Sequence, residues 1–301
     1  MLKQIGYALR GSCSAVLYVL NTLVWATPIF ILSFFKLIPV TRWRTAISGV
    51  LDRCATAWIG GNTLNQRLFS RIKWDVQGIE GLTRQDWYLV IANHQSWVDI
   101  LVLQRHFNRK IPFLKFFLKR ELIWVPVLGL AWWALDFPFM RRYSKAYLTK
   151  HPHLKGKDLE TTRKACEKFR NKPVSIMNFV EGTRITQLKH KLQDSPFQHL
   201  LKPRAGGMAF VLSVMGSQLH KLLDVTINYP QGIPSFWDFI CGKVKHVQVR
   251  VNVHPIDELL RNNVFSMDYF DNPEQRARFQ AWLNELWQQK DATMTSLAAT
   301  R

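Results

Sequence analysis

An uncharged segment near the N-terminus constrains the fold of this chain more than any other feature. The segment CSAVLYVLNTLVWATPIFILSFF, from Cys13 to Phe35, is 23 residues long. As an α-helix rising about 1.5 Å per residue, it would cross a hydrocarbon core of roughly 30 Å. A signal peptide would have a shorter apolar region and a small-residue cleavage site, which this segment lacks. A buried soluble helix is one alternative, and Pro28 would also allow a re-entrant helical pair lying in one leaflet.

Basic residues are distributed unevenly around this segment, and their distribution predicts its orientation. The flanking basic residues are Lys3 and Arg10 before the segment and Lys36, Arg42, Arg44 and Arg53 after it. Because cytoplasmic loops carry an excess of Lys and Arg, this bias places the bulk of the chain in the cytoplasm. From about residue 42 to residue 72 the pattern is mixed apolar and basic, which predicts a helix lying along or near the membrane. We therefore expect a membrane-anchor helical region at residues 1–72 and a second domain at residues 73–301.

Apolar runs of strand type alternate with helical patterns over the rest of the chain. The predicted strands are residues 87–92, 173–180, 222–230 and 247–253, and the predicted helices are residues 97–107, 158–171, 205–220 and 273–289. Val247, Val249, Val251 and Val253 alternate with polar residues, as in a half-buried strand. This alternation predicts the α/β class, with a mixed, largely parallel sheet flanked by helices. The tail after Lys290 has weak signals and is expected to fray.

The charge of the chain predicts an anionic partner. Lys and Arg number 41 against 21 Asp and Glu, a formal net charge of +20. Such an excess suits nucleic acid, an anionic membrane surface or phosphorylated substrates. Cys13, Cys54, Cys166 and Cys241 lie far apart without metal-ligand spacing, so we interpret them as ordinary thiols.

The stretch IANHQSWVDI, residues 91–100, sets an imidazole and a carboxylate five residues apart where a strand gives way to a helix. If Ser96 caps that helix, Asp99 occupies its third position in a serine-x-x-acid capping arrangement. The helix dipole would keep Asp99 ionised, and Asp99 could accept a hydrogen bond from one ring nitrogen of His94. The other nitrogen would then suit a general base acting on a hydroxyl. An ordinary capped helix start with an inert histidine is the alternative.

Two further apolar runs end in turns that contain arginine. In NFVEGTR, residues 178–184, a glycine turn that exposes backbone N–H groups is followed by Arg184. In FPFMRRYSK, residues 137–145, the run ends at Arg141 and Arg142. A guanidinium can bind a phosphate through two parallel hydrogen bonds. A solvated turn is the alternative for each ending alone, but the three endings together favour a functional site.

These blocks resemble those of the PlsC-type glycerolipid acyltransferases, the lysophosphatidic acid acyltransferases and their relatives. The first family block, N-H-x4-D, is matched by Asn93, His94 and Asp99, and the third, E-G-T-R, by residues 181–184. The second block ends in an arginine after an apolar stretch, and Arg142 is our match to it.

The regions between and after the blocks extend the resemblance over about residues 80–235. The segment at residues 119–133 is similar to the family's linker, and LLKPRAGGMAF, residues 200–210, is similar to the stretch after the third block. The fourth block is weaker, because VTINYP, residues 225–230, supplies only Pro230. The closest likeness is to the YihG branch of bacterial acyltransferases.

The resemblance implies transfer of an acyl chain from acyl-CoA or acyl-carrier protein to the hydroxyl of a lysophospholipid such as 1-acyl-glycerol-3-phosphate. His94 would act as the general base, and Asp99 would orient and stabilise its imidazolium. The residues implied to bind the glycerol phosphate are Arg142, Glu181, Gly182, Thr183 and Arg184, with Asn93, Arg141 and Arg204 as further candidates. No metal or cofactor is implied. The implied location is the bacterial inner membrane, with a phospholipid membrane as partner and the catalytic domain on the cytoplasmic side.

One segment and two other classes of function stay open. LIWVPVLGLAWWALDF, residues 122–137, is short for a spanning helix, and it is either buried core or a wall of an acyl-binding or membrane-dipping surface. A membrane-anchored nucleic-acid-binding protein is the first alternative, although zinc-finger, homeodomain and RNP patterns are missing and no nucleic acid is expected. The second is a non-catalytic lipid-binding protein of the same fold, against which the intact blocks argue.

Overall fold

The computed structural model of the chain describes residues 2–125, 128–140, 157–169 and 172–299. The α-helices are α1 (Leu2–Phe35), α2 (Thr41–Phe69), α3 (Val98–Phe107), α4 (Leu128–Ala134), α5 (Lys157–Cys166), α6 (Gln187–Leu192), α7 (Ala205–Met215), α8 (Phe236–Ile240), α9 (Ile256–Arg261) and α10 (Pro273–Ala299). The β-strands are β1 (Lys73–Gln77), β2 (Tyr88–Ala92), β3 (Leu114–Phe116), β4 (Leu118–Lys119), β5 (Phe139–Met140), β6 (Ser175–Phe179), β7 (Lys221–Asn228) and β8 (His246–Pro255).

Six of these strands form one sheet in the order β1-β8-β7-β2-β6-β3, and β4 and β5 pair separately. Within the large sheet every neighbouring pair is parallel except β7 and β8, which are antiparallel. The predicted mixed, largely parallel sheet flanked by helices is therefore confirmed. Strands β2, β6 and β7 run in the same direction, so the segments that follow them emerge at one edge of the sheet.

The sheet divides the core into two apolar layers. Leu89 and Ile91 of β2 pack with α7 and α10, whereas Tyr88, Val90 and Ala92 pack with α3 and α8. This division follows from the strand geometry, in which successive side chains point to opposite faces. A strand buried on both faces needs an unbroken apolar run, which is what the sequence around β2 provides.

Two expectations about element ends are corrected. The helix predicted at residues 205–220 ends at Met215, because the chain must extend again to begin β7. The tail after Lys290 does not fray: α10 continues to Ala299, and Met294 and Leu297 are buried. Apolar contacts with the sheet stabilise these last turns, a tertiary effect that local helix propensity does not contain.

The two N-terminal helices pack as an antiparallel pair joined by polar contacts. Ser14 Oγ donates to Asn65 Oδ1 (3.2 Å), and Asn21 Nδ2 donates to Asn62 Oδ1 (2.9 Å). Gly61 permits this close approach, because a Cβ at that position would overlap the side chain of Asn21. Small and amide-bearing residues are typical of helix contacts inside a bilayer.

Helix α1 is long and apolar enough to cross a membrane, and it runs unbroken through Pro28. Only four of its 34 residues are buried against protein. Leu20, Leu23 and Val24 are among its apolar side chains that are at least half exposed. The alternatives of a buried soluble helix and of a pair broken at Pro28 are both at odds with this structure, and α1 indicates membrane association.

The described part of residues 122–137 lies partly in the core and partly at the surface, the two environments that the sequence left open. Trp124 is 85% exposed, whereas Ala134, Leu135 and Phe137 are buried in an apolar cluster with α1 and α2. The carboxyl-terminal half is therefore core, and the end near Trp124 contributes to the exposed apolar surface.

Candidate active site

The turn between β2 and α3 brings together the two residues predicted to do the chemistry. His94 Nδ1 lies 2.9 Å from Asp99 Oδ2. The side chain of Asp99 is fully buried, while 13% of the His94 side chain is exposed. Among the residues that the structure describes, His94 Nε2 has no hydrogen-bond partner. Asp99 therefore occupies one ring nitrogen and leaves the other available to a ligand.

Four donors fix the carboxylate of Asp99. Besides the ring of His94, Oδ2 accepts the backbone N–H groups of Gln95 (2.6 Å) and Ser96 (2.8 Å), and Oδ1 accepts the Tyr229 hydroxyl (2.7 Å). The predicted capping arrangement is half formed. Asp99 does accept the Ser96 N–H, but Ser96 Oγ accepts the N–H of Val98 (3.2 Å), where α3 begins.

Tyr229 is a site residue that sequence reasoning missed. It lies directly after β7, and its burial, together with the neighbouring charge of Asp99, raises the pKa of its phenol well above the usual value. The hydroxyl therefore stays protonated and donates to Asp99. The signal was present in the sequence: a polar side chain at the end of a predicted strand beside Pro230, on the edge where open α/β sheets build their sites.

Asn93 positions the turn rather than facing a ligand. Its side-chain amide donates to the carbonyl of Ile227 (2.9 Å) and accepts the N–H of the same residue (2.9 Å). Gln95 Nε2 donates to the same carbonyl (2.6 Å). These contacts join the end of β2 to β7 and use the amide groups that a ligand would otherwise need.

Besides its contact with Asp99, the imidazole of His94 is held in place by an aromatic ring. It stacks on Phe179, with ring centroids 3.9 Å apart and planes 14° apart. The N–H of Ile185 donates to the His94 carbonyl (2.9 Å), which ties the segment after β6 to this turn. Stacking on one face and a hydrogen bond at Nδ1 restrict rotation of the ring, which is the preorganisation that a general base needs.

The third block forms a tight turn after β6. Gly182 has a φ of +72°, in the left-handed region that favours glycine, and its N–H donates to the carbonyl of Phe179 (2.9 Å). The Arg204 N–H donates to the carbonyl of Val180 (2.8 Å), so the start of α7 lies against this turn. A Cβ on Gly182 would contact the side chain of Arg204 at 3.9 Å. The side chain of Arg204 therefore lies directly over this glycine.

Cationic side chains surround the same turn. The guanidinium of Arg184 lies 4.7 Å from the centroid of the Trp97 ring. Lys189 Nζ donates to Thr183 Oγ1 (2.6 Å) and to the carbonyl of Arg184 (3.0 Å). With Arg204, these groups supply charged donors suited to an anion.

The predicted phosphate-binding set is brought together only in part. Glu181, Gly182, Thr183 and Arg184 lie in one turn beside the His94 segment, whereas Arg141 and Arg142 lie outside the described residues. Sequence reasoning missed Lys189, whose signal is the basic sequence QLKHKL of α6 directly after the third block. No group of three His, Cys, Asp or Glu side chains within the described ranges could hold a metal ion.

Glu181 carries an unusual charge state. Its side chain is buried, and desolvation raises the pKa of its carboxyl to about 8, although the N–H groups of His94 and Leu201 act in the opposite direction. Its Oε2 has no hydrogen-bond partner among the described residues. At neutral pH the carboxyl is mostly protonated, so Glu181 serves as a neutral group behind the turn rather than as an anion that would repel a phosphate.

Replacing Glu181 with glutamine should stabilise the fold increasingly as the pH rises from about 4.5 to about 8. The folded state keeps the Glu181 proton through this range while the unfolded chain releases it, so the stability of the native protein falls with pH. Glutamine does not titrate. Urea unfolding at several pH values should show the difference growing by up to about 1.4 kcal/mol per pH unit. A difference that is independent of pH would mean that Glu181 is ionised.

Beneath the site, a buried ion pair joins α10 to β7. Lys290 Nζ lies 2.7 Å from Asp224 Oδ1, and the two side chains are 0% and 2% exposed. Lys290 also donates to the carbonyl of Val225 (2.7 Å) and to Thr226 Oγ1 (3.0 Å). Burial lowers the pKa of Lys290, and the charge of Asp224 opposes that effect. The C-terminal helix thus holds the strand that leads into the site.

The acyltransferase family model matches residues 73–229, which contain the turn of His94, the turn of Glu181 and Tyr229. The chain belongs to the acyltransferase family. It is 25% identical over 226 residues to 1-acyl-sn-glycerol-3-phosphate acyltransferase delta of Bos taurus, covering 70% of this chain and 53% of the relative. It is 24% identical over 217 residues to the gamma enzyme of Mus musculus, covering 68% and 51%.

The fold has a counterpart among solved structures. The 1-acyl-sn-glycerophosphate acyltransferase PlsC of Thermotoga maritima matches 96% of this chain and 98% of its own, with a TM-score of 0.52 and 16% identity. The resemblance to PlsC-type acyltransferases is therefore confirmed, and the YihG branch stays a prediction. This chain spans about half the length of the curated relatives that it matches.

Proposed function

We propose that this protein transfers a fatty acyl chain from an acyl thioester to the free hydroxyl of a lysophospholipid such as 1-acyl-glycerol-3-phosphate. The observation that carries the proposal is the His94–Asp99 pair, with Nδ1 bound at 2.9 Å and Nε2 available. The names of the mammalian relatives and of PlsC support the choice of substrate class.

The proposed step is a proton transfer coupled to nucleophilic attack. His94 Nε2 takes the proton of the acceptor hydroxyl as its oxygen attacks the thioester carbonyl, and Asp99 stabilises the resulting imidazolium. The tetrahedral intermediate collapses by breaking the carbon–sulfur bond. The leaving thiolate then takes the proton from the imidazolium, which regenerates neutral His94 and releases a thiol. The acyl group passes directly to the acceptor without a covalent enzyme intermediate.

The acceptor phosphate would bind at the turn of the third block. Arg184 and Arg204 present guanidinium groups there, Lys189 adds an ammonium, and the neutral carboxyl of Glu181 avoids repulsion. A phosphate held beside His94 would fix the glycerol hydroxyl relative to Nε2, which is the positioning contribution to catalysis. Arg142 stays a candidate for the same phosphate.

The donor would be acyl-CoA or acyl-carrier protein, both of which carry negative charge that suits the basic surface of the chain. With α1 as the anchor, the proposed location is the inner membrane of a bacterium with the catalytic domain on the cytoplasmic side. The phospholipid membrane then supplies the acceptor and receives the product.

An acyl-transfer assay on the full chain tests this function. Acyl-CoA and acyl-carrier protein are offered separately with 1-acyl-glycerol-3-phosphate or with 1-acyl-glycerol, which lacks the phosphate. We expect transfer to the phosphate-bearing acceptor and much slower transfer to the other. Arg184→Ala should raise the apparent KM for the phosphate-bearing acceptor by about tenfold or more, since a hydrogen bond to a charged group contributes about 1.5–3 kcal/mol. The donor KM should change little.

Lys191→Ala, which removes an exposed cation of α6, is the matched control and should leave both KM values unchanged. If neither donor supported transfer to any acceptor, the proposed activity would be wrong, and the alternative of a non-catalytic lipid-binding protein would remain. Equal rates with the two acceptors, or an Arg184 effect on the donor alone, would show that the phosphate site is assigned wrongly.

Membrane retention of the full chain should resist high salt and require detergent for release. Burial of the exposed apolar face of α1 is insensitive to salt, whereas attraction of basic residues to anionic lipid is screened. Leu20→Asp/Val24→Asp places two charges on that face and should convert the protein to a salt-extractable form. The conservative pair Leu20→Met/Val24→Ile should remain detergent-dependent. If salt alone released the unmodified chain, α1 would not be the membrane anchor.

A further inference from the structure

A cavity of about 270 Å³ lies between α2 and the amino-terminal ends of β3 and β6. His94 lies beyond the opposite, carboxyl-terminal ends of the strands. The five residues of β2 separate these edges by about 16 Å, at roughly 3.3 Å per residue. The cavity is therefore separate from the candidate active site and is not used by the proposed reaction.

Four segments of the chain each place a cation in the lining of this cavity. Arg53 comes from α2, Arg84 from the segment before β2, Arg109 from the turn after α3, and Lys172 from the segment before β6. Among the lining residues that the structure describes, Asp52 is the one carboxylate, so four positive charges face one negative charge there. Residues far apart in sequence thus converge to give a lining with an excess of three positive charges.

The three arginines of this lining are available to a ligand. Asp52 is engaged by lysines, with Lys172 Nζ 2.6 Å from Oδ2 and Lys115 Nζ 3.3 Å from Oδ1. In the part of the chain that the structure describes, the side chains of Arg53, Arg84 and Arg109 form neither ion pairs nor hydrogen bonds. Unpaired guanidinium groups gathered around a concave site are suited to a phosphate, which accepts their parallel hydrogen bonds.

The backbone holds this arrangement in place. Arg109 has a φ of +65°, in the left-handed region that a residue with a Cβ adopts at a cost. The preceding residue, Asn108, is tied to α2 because its Nδ2 donates to the carbonyl of Thr56 (3.2 Å). The turn that carries Arg109 is thereby fixed against α2.

A second cavity, of about 410 Å³, continues the first along α2. It shares Asn108 and Arg109 with the first cavity and adds Arg67 and Arg105. The guanidinium of Arg105 donates to Gln66 Oε1 (2.9 Å), so it belongs to the wall. The two cavities form a basic groove, defined here by Arg53, Arg67, Arg84, Arg109 and Lys172.

We propose that this basic groove binds the phosphate of an anionic phospholipid headgroup from the bilayer that holds α1. The choice of a lipid rests on position: α2 forms one wall of the groove and packs directly against α1, whose outer face is apolar. A headgroup bound there would connect the bilayer surface to the catalytic domain through the turn of Arg109. The proposal depends on the membrane association of α1 and not on acyl transfer.

The test measures binding of a fluorescently labelled short-chain phosphatidylglycerol to the detergent-purified full chain by anisotropy. Arg84→Gln/Arg109→Gly removes two cations of the groove, and glycine accepts the left-handed backbone at residue 109 without strain. We expect the Kd to rise about tenfold or more in this variant. Arg276→Gln/Arg278→Gln removes the same charge from exposed positions of α10 and should leave the Kd within about twofold.

Two further measurements distinguish a lipid phosphate from free phosphate, and the basic groove from the candidate active site. Arg184→Ala, in the candidate active site, should not change the Kd of the probe, and inorganic phosphate should displace it only at far higher concentration. If the α10 control weakened probe binding equally, binding would come from general charge attraction, and the proposal would be wrong. Weakening in the Arg184 variant alone would place the probe in the active site. Displacement by inorganic phosphate at the probe's own Kd would show a phosphate site in place of a lipid site.

Discussion

Replacing His94 with alanine should lower kcat for acyl transfer by about 10²-fold or more, the usual magnitude for loss of a general base. The structure gives the reason: Nδ1 is bound to Asp99 at 2.9 Å, so proton abstraction falls to Nε2, and alanine leaves no base at this position. The KM values for donor and acceptor should change much less, because the proposed phosphate contacts come from the turn of the third block. Steady-state kinetics with each substrate varied in turn provides the measurement.

His220 offers a matched control for that experiment. Its Nδ1 is also paired with a carboxylate, that of Asp86, but this pair lies at the amino-terminal edge of the sheet beside the start of β7. His220→Ala therefore removes the same kind of histidine–aspartate contact. This contact lies at the opposite edge of the sheet from His94, away from the proposed site of chemistry. It should retain nearly full activity. Comparable losses in the two variants would point to a folding defect, and near-normal kcat in the His94 variant would refute the mechanism.

The parts of the fold that the sequence predicted are those with local signals. The run at residues 87–92 is apolar throughout, and a strand buried on both faces requires such a run, as β2 shows. The pairing of His94 with Asp99 was predictable for the same reason, since both residues lie in one turn and a helix start places the carboxylate near it.

The parts that the sequence did not predict depend on distant contacts. Tyr229 reaches Asp99 across 130 positions, and Asn93 is tied to Ile227 across 134. Neither separation leaves a periodic signal, because the pairing follows from the neighbouring placement of β2 and β7 in the sheet. Knowledge of the strand order would have been enough to bring Tyr229 to the same edge as His94.

Lys290 shows a second reason for failure. A lone lysine in a helix with a polar pattern is normally solvated, and the weak signals after Lys290 predicted a frayed tail. In the structure it is fully buried against Asp224, a charged residue at a buried position of β7. Each charge is unfavourable alone, and only their contact explains both.

Replacing Lys290 with methionine should lower the free energy of unfolding by about 3–5 kcal/mol, the usual loss when one partner of a buried ion pair is removed. Methionine preserves much of the side-chain volume, so the loss comes from the unpaired carboxylate of Asp224, which is 2% exposed. The carbonyl of Val225 and the hydroxyl of Thr226 also lose their donor. Urea unfolding of the purified chain gives the measurement, and Lys191→Met on exposed α6 is the matched control, expected within about 0.5 kcal/mol of the unmodified protein.

The double variant Asp224→Asn/Lys290→Met separates the charge from the packing. Removing the charge of Asp224 should recover a large part of the stability that Lys290→Met loses, because the uncompensated ion is gone while the contacts of α10 with β7 remain. We expect activity to follow stability, since β7 supplies Ile227 to Asn93 and leads to Tyr229, which donates to Asp99. If the double variant were as unstable as Lys290→Met, the loss would come from the missing donors and packing. If Lys290→Met matched the Lys191 control, the buried pair would make no net contribution, and the C-terminal helix would hold β7 through its apolar contacts alone.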